Sequence, residues 1–154
     1  MKYGILERYV QNFDVICLTE TKTDLIETQW FRGYSSFVMD KCSDSFAYGG
    51  VHGMCVLVKD NISSSAKIIG GTSPSSIMWM YLRNTPCDVV LGSVYIPCEN
   101  SKHYSDELFQ NLLSDIALIE GKFKAPIIVA GDFNARTGSM SDVIAEDIAS
   151  GSDR

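Results

Sequence analysis

The chain has little that is basic. Thirteen Lys and Arg stand against nineteen Asp and Glu among 154 residues, a formal net charge of −6, and no stretch gathers the cations into a stripe. Non-specific affinity for a phosphate backbone comes mainly from Lys and Arg, so a protein that coats nucleic acid through charge alone is excluded. Long apolar runs are also missing. The longest, such as Val89 to Ile96, fall far short of the roughly 20 residues that a membrane-spanning helix needs, and no membrane partner is expected. The N-terminus lacks the uninterrupted apolar stretch of a secretory signal, which gives an expected location inside the cell, in nucleus or cytoplasm. Cysteine is sparse and unclustered: Cys17, Cys42, Cys55, Cys87 and Cys98 are an odd number with no Cys-x-x-Cys spacing. Reduced core thiols fit them better than a zinc site. His52 and His103 stand in no metal-ligand spacing with another His, Cys or acid and read as loop residues.

What remains is an ordinary globular composition, 45% hydrophobic and 10% aromatic, in a length suited to one domain with a real core. Leu6, Val10 and Phe13 recur at helical spacing over Tyr3 to Phe13, and the β-branched run Asp14 to Leu18 follows as a strand. A strand within Trp30 to Ser45, another at Met54 to Val58 closed by a Lys-Asp-Asn turn, and a short one at Ala66 to Ile69 come next. Ser76 to Arg83 and Asp88 to Pro97 read as two further strands, with Asn84-Thr85-Pro86 as the turn between them. From Ser105 to Glu120, Leu108, Leu112, Leu113, Ile116 and Ile119 return to a helical period, with Gly121 where a C-terminal cap would sit. Ile127 to Ala130, bounded by Pro126 and Gly131, reads as an interior strand that stops abruptly. The pattern is an α/β mixture whose acidic residues gather at strand ends.

Four of those strand-end residues carry chemistry. In an extended segment Asp132 and Asn134 share a face while Phe133 turns into the core, and Gly131 permits the sharp exit that presents them. With Glu20 after the first strand and Tyr95 late in another, a pocket would hold two carboxylates, an amide and a phenol. That set suits phosphate ester chemistry with a hard cation, because Mg²⁺ takes one or two carboxylates and keeps water and phosphate oxygens elsewhere. Taken singly, Glu20 reads as a solvated loop carboxylate, Asp132 and Asn134 as turn residues, and Tyr95, Trp30 and Trp79 as packing.

Taken together, "ICLTETKTD", "GGVHGMCVLVKDNI", "VYIP" and "IIVAGDFNARTG" resemble, in that order, the endonuclease/exonuclease/phosphatase superfamily. The similarity is greatest to the apurinic-type endonuclease domain of non-LTR retrotransposons. The resemblance implies a four-layer α/β sandwich, two packed β-sheets flanked by helices, and cleavage of phosphate esters, DNA in the parent protein, with Mg²⁺ or Mn²⁺. It makes Glu20 the metal ligand and Tyr95 a hydrogen-bond donor near the scissile phosphate. Asp132 becomes the residue that orients or deprotonates the attacking water, and Asn134 a contact to phosphate and to that aspartate. Other phosphate esters (a phosphoinositide, sphingomyelin or an RNA tail) and a non-catalytic retroelement remnant are the alternative readings.

The sequence departs from the family at both ends. The family opens with a strand bearing a metal-binding asparagine and closes with a Ser-Asp-His segment, whereas residues 1–154 begin at the first helix and hold no histidine after Asp132. The expectation is an incomplete domain lacking the first strand and the C-terminal half, with open sheet edges that invite association and little or no nuclease activity in isolation.

Overall fold

The computed structural model describes residues 8–21, 31–38, 53–72, 76–83 and 87–135. Seven strands form two sheets. β1 (Val15–Leu18), β2 (Tyr34–Val38) and β3 (Cys55–Lys59) make the smaller, in the order β1-β3-β2 and antiparallel throughout. β4 (Ala66–Ile68), β5 (Ile77–Leu82), β6 (Val89–Tyr95) and β7 (Ile127–Asp132) make the larger in sequence order. Its first three strands are antiparallel, and β6 and β7 are parallel. A parallel pair needs a crossover, and the helix α2 (Glu107–Lys122) supplies it. The short helix α1 (Asp60–Ser63) follows β3 directly, where the sequence suggests a turn.

Strand alternation explains the layers. Val56 and Val58 of β3, Met78 and Met80 of β5, and Leu91 and Tyr95 of β6 form one buried cluster, against which Val15, Cys17 and Phe37 pack. This cluster is the seam between the two sheets. The opposite face of the larger sheet, with Ile77, Trp79, Val90 and Val94, is covered by Leu108, Leu112 and Ile119 of α2. On the outer face of the smaller sheet, Cys55 and Leu57 pack with Tyr34 and with Val10, which ends a helical turn at residues 8–10. Tyr34 Oη lies 2.6 Å from the carbonyls of both Val10 and Phe13, sharing its one proton between them. Helix, sheet, sheet, helix is the incomplete four-layer α/β sandwich anticipated from sequence. Strands buried on both faces read as unbroken apolar runs, which is why β3, β5 and β6 were legible within a residue or two.

Several expectations are corrected. α2 runs through Gly121 to Lys122 and ends where Phe123 turns extended. Phe123 packs on Tyr81, with ring centroids 4.9 Å apart, so a side-chain contact and not a glycine cap stops the helix. Leu113 points outward, 61% exposed, and the buried stripe instead includes Asp115. Asp115 is stable there because it accepts hydrogen bonds from Trp79 Nε1 (2.8 Å) and the Thr72 amide (3.1 Å). Phe13, placed on an apolar helix face, is 48% exposed. Cys17 is half-buried and Cys55 buried, and burial pushes both thiols upward, Cys55 to about 11. Cys87 and Cys98 are exposed loop thiols and not core residues. Trp79 is packing, as expected, whereas Trp30, Cys42, His52 and the Asn84-Thr85-Pro86 turn lie outside the described residues.

The largest correction concerns β7. Among the described residues it pairs only with β6, and it alternates half-buried and exposed positions. Ile127 and Val129 pack beneath α2. Ile128, on the seam side, is 51% exposed. It is an edge strand here, because among the described residues no strand pairs with its other side, and although β1 reaches it, Ile128 is left half-exposed. No helix among the described residues is long and apolar enough to cross a membrane.

Candidate active site at the strand ends

β6 and β7 end side by side, with Tyr95 in register with Asp132. Gly131 makes that closeness possible. Its φ is +152°, and a Cβ there would lie 1.9 Å from the Val94 carbonyl oxygen, so any side chain would force the strands apart. The Ile96 amide donates to the Asp132 carbonyl at 2.8 Å, carrying the pairing one residue further. The chain then turns. The Asn134 amide donates to Asp132 Oδ1 (2.9 Å), and Asn134 Nδ2 donates to the Ile96 carbonyl (2.8 Å). Asp132 and Asn134 therefore meet through a tight turn and not along an extended strand, while Phe133 packs under α2 as anticipated.

Glu20 arrives from the other sheet. It sits two residues past β1, and the Thr21 amide is tied to the Gly53 carbonyl at 3.0 Å. Tyr95 Oη donates to Glu20 Oε1 at 2.5 Å across the seam. Glu20 and Asn134, with φ of 53° and 45°, are the non-glycine residues with left-handed backbone among those described. Asn tolerates that region, but for Glu it costs on the order of 1–3 kcal/mol, and such strain gathers at functional sites. The hydrogen bond to Glu20, then burial, then the nearby charges of Glu20, Asp132 and Cys98 push the Tyr95 phenol up to about 12. Tyr95 therefore remains a proton donor at any physiological pH.

The four residues singled out from sequence are thus brought to one end of the sandwich. His103 lies on an exposed loop. A further group had no sequence signal: Thr21 Oγ1, beside Glu20, is buried without a hydrogen-bond partner among the described residues. Nothing in Thr-Glu-Thr distinguishes a buried hydroxyl from a solvated one. Ser93 Oγ, two residues before Tyr95, is likewise buried, with the weak Cys17 thiol beside it. No group of three His, Cys, Asp or Glu forms a ready metal cage among the described residues. The oxygen donors still fit a hard divalent cation. Glu20 and Asp132 each engage one carboxylate oxygen internally, leaving the other for a ligand, and Mg²⁺ habitually uses one or two carboxylates with water completing the shell.

Known structures share this arrangement of strands. The human Nocturnin catalytic domain, solved with bound sulfate anion, is 20% identical with a TM-score of 0.55, over 86% of this chain and 55% of that one. The endonuclease domain of TRAS1, a telomere-specific non-LTR retrotransposon, is 17% identical with a TM-score of 0.54, over 86% and 53%. TDP2 of Caenorhabditis elegans is 14% identical with a TM-score of 0.59, over 92% and 44%. The chain spans about half the length of these structures. No curated protein matches it. The family model for the Endonuclease/Exonuclease/phosphatase family matches residues 3–143, nearly the whole of the sandwich and the strand ends that carry Glu20, Tyr95, Asp132 and Asn134, and the chain belongs to that family.

Proposed function

We propose that this site serves divalent-metal-dependent cleavage of a phosphodiester in DNA. The observation that carries the reading is the Tyr95–Glu20 hydrogen bond, which joins the two sheets at the place where β6 and β7 present Asp132. Glu20, with Asp132 nearby, would hold Mg²⁺ or Mn²⁺. The bound cation would supply a Lewis acid for the phosphoryl oxygen. Once Glu20 is engaged by the cation, the Tyr95 hydroxyl, still protonated at neutral pH, would exchange its hydrogen bond to Glu20 for one donated to a phosphate oxygen. Asp132, held by the Asn134 amide, accepts a proton from an attacking water, and Asn134 fixes the loop over it. Fixed donors of this kind, aimed at developing charge, supply much of the rate in phosphate chemistry. Two similar structures support the DNA reading: one is a retrotransposon endonuclease domain, and the other is TDP2 of D. rerio, solved with a single-strand DNA product. The net charge of −6 favours a second reading, a non-DNA phosphate ester on the same site.

Paramagnetic broadening by Mn²⁺ tests the site directly. Broadening is expected to centre on Glu20, Thr21, Tyr95 and Asn134 and to be lost in Glu20→Gln; broadening centred elsewhere would sink the assignment. Because the described site residues include no imidazole, plasmid nicking with Mg²⁺ by this chain is expected to exceed an Asp132→Ala control only slightly or not at all. Saturation by an abasic-site duplex rather than a lipid head-group phosphate would select the DNA reading over the second one.

A further inference from the structure

A cavity of about 660 Å³ opens at the other end of the larger sheet, lined in part by Ser65, Lys67, Tyr81, Arg83, Lys122 and Phe123. Its position follows from register. Lys67 pairs with Tyr81, and Tyr81 with Val90 near the start of β6, whereas Tyr95 closes the opposite end of that strand. At about 3.3 Å per residue the two places lie roughly 15–20 Å apart. Alternation puts Lys67 of β4 beside Tyr81 of β5 on the face that α2 covers, Arg83 follows one residue past the end of β5, and the end of α2 adds Lys122 and Phe123.

Two features mark this cavity. Three cations converge on it in a chain of net charge −6, and among the described residues none of the three forms an ion pair. The acid beside them, Asp88, is hydrogen-bonded by the Tyr81 hydroxyl. Converging like charges gain nothing from one another and gain a great deal from an anion. The wall is also aromatic: Tyr81 and Phe123 are half-buried and in contact, and Lys122 Nζ lies 5.5 Å from the Phe123 ring centroid. Spaced cations with aromatic rings that line the same cavity are the combination that holds a single strand of nucleic acid, phosphates on the cations and bases against the rings. A duplex keeps its bases stacked inward and cannot use the rings, and a bare phosphate would leave them idle.

We infer that this cavity is a second binding site, for single-stranded nucleic acid, remote from the strand-end site. Lys67, Arg83 and Lys122 meet successive phosphates, and Phe123 with Tyr81 receives a base. The inference goes beyond the proposed cleavage reaction and stands without it.

The test is binding of a fluorescent oligothymidylate of about 10 nucleotides, within the ~4–16 nucleotides typical of such sites, to the full chain. EDTA is present, so the outcome is independent of any metal at Glu20. Binding is expected to weaken with salt, and Lys67→Glu with Lys122→Glu is expected to weaken it at least ~10-fold while flattening the salt slope by about 0.7 for each phosphate that is no longer neutralised. Both side chains are exposed, so these variants fold. Phe123→Leu is expected to lose roughly 5- to 100-fold, the value of one stacked base. Affinity unchanged by the charge reversals, no binding at all, or tripolyphosphate binding as tightly as the oligonucleotide would each overturn the assignment.

Discussion

β6 and β7 lie side by side, parallel and in register, yet they live in different environments. Leu91 of β6 and Ile128 of β7 are partners in that register. Leu91 is 8% exposed and lies in the seam between the sheets; Ile128, on the same face, is 51% exposed. β6 is hydrogen-bonded on both edges, to β5 and to β7, whereas among the described residues β7 pairs with β6 alone, so the two strands differ in pairing as well as in what covers their side chains. β6 is held by packing on both faces and anchors the fold. β7 is held by α2 on one face and by its backbone, and its far end is free to carry Asp132.

Four tests would break or sharpen that contrast. The largest effect is expected at Gly131, where the two strands touch. Gly131→Ala combines strain with a backbone clash, each costing about 1–3 kcal/mol, and denaturant unfolding should show a loss of stability near their sum. Next comes the pair in register. Leu91→Ala should cost about 2–5 kcal/mol and Ile128→Ala well under that, because a half-exposed side chain leaves little cavity; equal losses would mean that something covers β7. The third concerns Tyr95. Its phenol is raised to about 12 in the folded chain against about 10 when unfolded. Between those values the unfolded chain binds fewer protons than the folded one, so stability contributed by this group is present below pH 10 and falls as pH rises from 10 to 12. Tyr95→Phe should remove that dependence and the latest step of the tyrosinate absorbance titration. The smallest effect on stability, within about 0.5 kcal/mol, belongs to Ile128→Lys. If the open edge of β7 promotes self-association, this change should lower the apparent mass at high protein concentration in light scattering while leaving the unfolding midpoint in place.

Much of this was readable in advance. β3, β5 and β6 announced themselves as apolar runs, the buried positions Leu108, Leu112 and Ile119 as a helical period, and Gly131 as a chain exit. The same reasoning could not see coverage. Ile127 to Ala130 reads as interior because an apolar run is identical whether or not a neighbour pairs with it or lies over it, and its place at the edge of the described sheet shows only in the structure. Leu113 was expected on the buried stripe because hydropathy ranks Leu above Asp, whereas Asp115 takes a buried place through the Trp79 and Thr72 donors, which come from distant segments. The site residues were weak singly, and it was their motifs taken together that placed them in one pocket. The geometry of their meeting was not legible, since the left-handed backbone at Glu20 and Asn134 is imposed by the surrounding fold and leaves no trace in residue type at Glu20.

The Tyr95–Glu20 hydrogen bond joins residues 75 apart in the chain. Most of the larger sheet assembles from near neighbours, through the antiparallel pairs β4-β5 and β5-β6. Closing a long loop costs entropy before any contact repays it. Glu20 can reach Tyr95 only after the smaller sheet has formed and docked. The site is therefore expected to be completed late in folding, and a probe on the Tyr95 hydroxyl that reports no later than the strands would overturn that order.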